Sequence, residues 1–109
     1  MISKKVINEL GEDVFSQALE IFMKNIKKDV MLLNLYTESK DYSNAKFTSH
    51  KLIGSCVAIG VKKLPTILRK IDDDLKKRYY NSDDLKEINT MYEELKTYVS
   101  KEFKIEIES

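Results

Sequence analysis

The sequence is poor in the residues that end helices, cross-link chains or hold cofactors. Its 109 residues include three Gly, one Pro, one Cys, one His and no Trp. A lone cysteine, Cys56, excludes an intramolecular disulfide, and its apolar neighbours make it an inert buried thiol suited to a reducing cytoplasm. With one histidine there is no second imidazole to build a zinc site. His50 and Cys56 lie six residues apart, about 240° around a helix, so no metal site is expected. The same scarcity removes Ser-His-Asp sets and glycine-rich phosphate loops, and paired catalytic carboxylates are equally unsupported. A self-contained enzyme has little to work with.

An excess of charge of one sign is also missing. Lys plus Arg number 19 and Asp plus Glu 18, a net charge of +1, so there is no global field of the kind that draws nucleic acid or anionic lipid. No window approaches the roughly 18 apolar residues of a membrane span. Asn8 and Glu9 interrupt the N-terminus before a signal-peptide core can form. The expectation is a soluble, cytoplasmic chain that binds neither nucleic acid nor membrane. A chain this short can bury roughly 65% of its unfolded surface, enough for one core, so residues 1–109 read as one domain. The opening Met1 and the lack of a linker favour a free-standing protein.

What the sequence does have is helical periodicity. Phe15, Ala18, Leu19, Phe22, Ile26, Val30 and Leu33 recur every three or four residues, predicting a long helix from Glu12 to Thr37. The polar stretch Glu38–Asp41 breaks it. A second helix carries Ala45, Ser49, Leu52, Cys56 and Ile59 on one face and ends near Gly60. Leu64, Ile67, Leu68, Ile71 and Leu75 form a third stripe, running to about Arg78, with Pro65 in the first turn where its missing N–H costs little. Ser82 is placed to cap a fourth helix whose first turn holds Asp83 and Asp84, followed by Leu85, Ile88, Tyr92, Leu95 and Val99. A short helix from Ile2 to Leu10 also fits. Phe103 to Glu108 alternate apolar and polar residues, but a strand without a partner does not stand in water, so this reads as a frayed helix end or an extended tail. Short connections make consecutive helices antiparallel, and the fold class is an all-α, up-and-down four-helix bundle.

The run Asp72-Asp73-Asp74 is followed four residues later by Lys76, Lys77 and Arg78, spacing expected of ion pairs on a solvated helix face. His50 is less ordinary. It points nearly opposite to Leu52, away from the core stripe, and Gly54 follows one turn later on the same outward face. A glycine inside a helix costs about 1 kcal/mol relative to alanine, and here its small size would let a partner approach the imidazole. Phe47, Ile53 and Val57 put apolar groups around His50, with Lys46 beside them, on a face that solvation alone would make polar.

These residues carry a resemblance. The stretch Ser49-His50-Lys51-Leu52-Ile53-Gly54-Ser55-Cys56-Val57-Ala58-Ile59-Gly60 resembles the signature of histidine-containing phosphotransfer (HPt) domains, with Leu52, Gly54, Ser55 and Gly60 at the matching positions. The long first helix, the Asp41-Tyr42 start of the motif helix and the two helices that follow extend the resemblance over nearly the whole chain. It implies a phosphoryl carrier without kinase activity of its own. His50 would be the phosphoryl-accepting residue, Lys46, Lys51 and Gly54 its neighbours, and Phe47, Ile53 and Val57 the docking surface. The implied partners are response-regulator receiver domains and a hybrid sensor histidine kinase, with Mg²⁺ held by the receiver and no cofactor on this chain. A monomer is expected, because a dimer through the His50 face would block the site. As a chemical group, imidazole titrates near neutrality and offers one nucleophilic nitrogen at cytoplasmic pH. The sequence departs from the family at Ile53, where a Lys three residues after the His usually reaches the phosphoryl oxygens. Lys46, one turn earlier, is the expected substitute, with Lys51 less well aimed. The alternative is a phosphate-silent docking or inhibitory module that keeps the same face.

Overall fold

The computed structural model describes residues 1–107 and contains five helices among them: α1 (Lys4–Leu10), α2 (Glu12–Glu38), α3 (Tyr42–Ile59), α4 (Leu64–Lys76) and α5 (Ser82–Phe103). The four long ones form the expected antiparallel bundle. Each apolar stripe faces one shared core, in which Phe15, Leu19 and Leu33 of α2, Leu52 and Cys56 of α3, Leu68 and Ile71 of α4, and Ile88 and Val99 of α5 are essentially without solvent contact. Polar contacts across the seams fix the up-and-down order: Lys51 meets Asp29, His50 meets Asp72, Lys70 meets Asp84, and Asn34 meets Asn89. Among the described residues no helix is long and apolar enough to cross a membrane.

Helix ends follow local chemistry, with small changes from expectation: α1 starts at Lys4 rather than Ile2, α4 stops short of Arg78, and the cap of α5 moves by one residue. The N-cap of α5 is Asn81 rather than Ser82: its side chain accepts from the Asp83 amide at 2.9 Å, and Ser82 is already helical. Asp41 caps α3 by accepting from the Asn44 amide. α4 ends at Lys76, and Arg78 takes a left-handed conformation in the turn that follows.

Gly60 is required twice over. It closes α3 at φ +87°, and a Cβ there would lie 3.0 Å from Val6 Cγ2 and 3.2 Å from Ser3 Cβ. That close approach lets the N-terminal segment lie against the α3–α4 connection. Ile2 and Val61 form an isolated antiparallel bridge, and Ser3 donates to the Gly60 carbonyl at 2.8 Å. At the other end Lys104 turns left-handed and the tail leaves α5 without regular structure, while Ile105 and Ile107 rest against the core. Glu108, the last residue of the alternating pattern, lies outside the described residues.

Candidate functional site

α3 presents one face to the core and the opposite face to solvent, and His50 stands on the outer one. Its side chain is 66% exposed. The ring is nevertheless held: Nδ1 lies 3.0 Å from Oδ1 of Asp72 on α4. Asp72 is 4% exposed, and its Oδ1 also accepts from the Ser49 hydroxyl at 2.9 Å. A carboxylate only accepts hydrogen bonds, so Nδ1 is the donor and the lone pair belongs to Nε2, the nitrogen on the far side of the ring from Asp72. One ring nitrogen is anchored to the fold and the other carries the lone pair.

This placement corrects the reading of the Asp72-Asp73-Asp74 run as a solvated face. Asp73 is exposed and Asp74 partly so, but Asp72 is buried. The spacing contains the reason. Asp72 sits four residues after Leu68 and three before Leu75, at the edge of the apolar stripe that turns toward α3. Of the expected pairs four residues apart, Lys76 does approach Asp72 Oδ2, at 3.7 Å, and it lies 3.6 Å from Asp73 Oδ1.

Gly54 is exposed one turn beyond His50, and a Cβ built on it meets nothing within 4 Å. The space beside the imidazole is open. Phe47, 71% exposed, and Val57, 53% exposed, flank it on the surface. Ile53 is different: it is half-buried and packed against the core.

The two lysines assigned to the neighbourhood of His50 are placed differently from each other. Lys51 points to the other side of α3, where its ammonium is 3.3 Å from the buried Asp29 of α2. Lys46 is exposed one turn before His50 on the same helix. Lys51 is thus held on Asp29 and not at His50.

Cys56 is buried beneath this face, and burial pushes its thiol up to about 12, which makes it unreactive at neutral pH. Among the described residues no group of three His, Cys, Asp or Glu side chains could hold a metal ion. No family model, curated protein or solved structure matches the chain.

Proposed function

We propose that the chain is a histidine phosphotransfer protein that accepts a phosphoryl group on His50 Nε2 from an aspartyl phosphate and passes it on to another. The observation that carries this reading is the pairing of an exposed imidazole with a buried carboxylate at Nδ1. As the Nε2–phosphorus bond forms and the bond to the donor carboxylate breaks, the ring becomes cationic. Asp72, already at Nδ1–H, stabilises that charge and holds the ring in the attacking tautomer, as the buried carboxylate does in a Ser-His-Asp set. The reverse step returns the phosphoryl group and leaves the ring neutral. No proton has to leave the site in either direction.

The rest of the chemistry belongs to the partner. A receiver domain that carries the aspartyl phosphate and its Mg²⁺ supplies in-line geometry and charge neutralisation, and a hybrid sensor kinase of the same cytoplasmic system fits as the source. The apolar groups Phe47 and Val57 with the open surface at Gly54 suit a small, transient contact. Because that contact covers His50, the carrier works as a monomer.

A second reading follows from Ile53, which brings no charge to the phosphoryl side. In it the chain binds receivers or kinases through the same face without carrying phosphate. One experiment separates the two. The wild type and His50→Gln are incubated with Asp-phosphorylated receivers from the same genome, and acid-labile, base-stable label is measured. Label on the wild type alone supports the carrier. Receiver binding with no label on either chain supports the docking module.

A further inference from the structure

We infer that Lys76 of α4 is the cation that receives the phosphoryl oxygens on His50, in the role Ile53 leaves vacant on α3. The inference deepens the proposed function and rests on His50 accepting a phosphoryl group. It starts from a contrast among lysines near buried carboxylates. Lys51 is 3.3 Å from Asp29 and Lys70 is 3.2 Å from Asp84, both within hydrogen-bonding distance. Lys76 is 3.7 Å from Asp72 and 3.6 Å from Asp73, inside ion-pair range but hydrogen-bonded to neither, and its side chain is half exposed. It is near the site and not locked to it.

Direction decides among the exposed cations. α3 and α4 run antiparallel, with His50 level with Asp72. Helical side chains lean toward the N-terminus of their own helix. Lys76, one turn after Asp72, therefore leans back over Asp72, as its contact with Oδ2 records, and so toward the level of His50. Arg69, one turn before Asp72, leans by the same rule toward Pro65 and away from the level of His50. A lysine at position 53 would lean back over His50 for the same reason, so Lys76 supplies from the neighbouring helix what that position lacks. When a phosphoryl dianion is placed on Nε2, it competes with Asp72 Oδ2 and Asp73 for this ammonium. The dianion carries more charge than either carboxylate, and the ammonium turns to the phosphate oxygens.

The test uses phosphoramidate as the phosphoryl donor on the full chain, so it does not depend on finding a receiver. Phosphorylation of His50 should shift the Lys76 side-chain ammonium resonance. Lys76→Ala should shorten the lifetime of phosphohistidine by about two- to fivefold, the scale of an exposed charge pair, with a smaller ratio at high salt. Lys76→Arg should restore the lifetime, and Lys46→Ala and Arg69→Ala should leave it unchanged. The imidazole ¹⁵N shifts of the unphosphorylated protein should be the same in Lys76→Ala and wild type, showing that Asp72 still holds the ring. An unshifted Lys76 resonance, or an equal lifetime in Lys76→Ala, would overturn the inference. A larger effect at Lys46 would do the same. Label from phosphoramidate but from no receiver would sink the relay reading and leave the Lys76 result interpretable on its own.

Discussion

His50 and Lys51 are consecutive residues, and each rests on a buried aspartate of a different neighbouring helix. At the α2–α3 seam the Lys51 ammonium meets Asp29 at 3.3 Å, and at the α3–α4 seam His50 Nδ1 meets Asp72 at 3.0 Å. The acids are equally buried, yet the partners make the seams different devices. An ammonium has only donors, so Asp29–Lys51 is a clamp with no chemistry left over. An imidazole has two distinct nitrogens, so the same kind of carboxylate fixes one and leaves the other as a directed nucleophile. Under the proposed function, a buried acid is thus a structural element or half of a reactive pair according to what it faces.

Substitutions at the two seams sharpen this contrast. The largest effect is expected from His50→Gln, which should abolish phosphoryl label while helicity by circular dichroism is unchanged, since the side chain lies on the surface. Asp72→Ala should come next, lowering the transfer rate on the order of 10- to 100-fold, as loss of orienting carboxylates behind functional histidines does. Asp29→Ala should leave transfer rates near wild type in the same assay and lower stability by about 1 kcal/mol in urea titrations. Equal transfer losses at Asp72 and Asp29 would break the comparison.

The two glycines of the motif give a finer test. Gly60→Ala must hold φ +87° with a methyl group 3.0 Å from Val6 Cγ2, and should destabilise the fold by about 1–3 kcal/mol. Gly54→Ala faces open space on a helix and should stabilise it by up to about 1 kcal/mol while weakening receiver binding. The smallest effect concerns Cys56. Its thiol is raised to about 12 by burial, above the ordinary value of 9.0. The neutral form is favoured by folding, so this contribution is complete below about pH 9 and fades as pH rises toward 12. At pH 8, labelling by a thiol reagent should proceed no faster than unfolding.

Much of this was legible in the sequence, because the helices are long, strongly periodic and joined by short breaks. The stripe of Phe15, Leu19, Phe22, Ile26, Val30 and Leu33 specifies α2 and its buried face. The outward aim of His50 and the open surface at Gly54 follow from the wheel of α3 alone. What was hidden lies between helices. Asp72 carried a signal, an acid at the edge of the Leu68–Ile71–Leu75 stripe, but the run of three acids masked it and its partner is 22 residues away. Asp84 likewise reads as a helix-start acid and proves buried against Lys70. The placement of Lys76 near His50 needs the register of α4 against α3, which spacing within one helix does not contain.

The most direct measurement is the position of the phosphorus on the ring. The phosphorylated chain, with ¹⁵N-labelled histidine, is examined by NMR for ¹⁵N–³¹P coupling. Coupling to Nε2, with Nδ1 still protonated against Asp72, is the predicted result. Coupling to Nδ1, or label at another residue while His50 stays unmodified, would contradict the account.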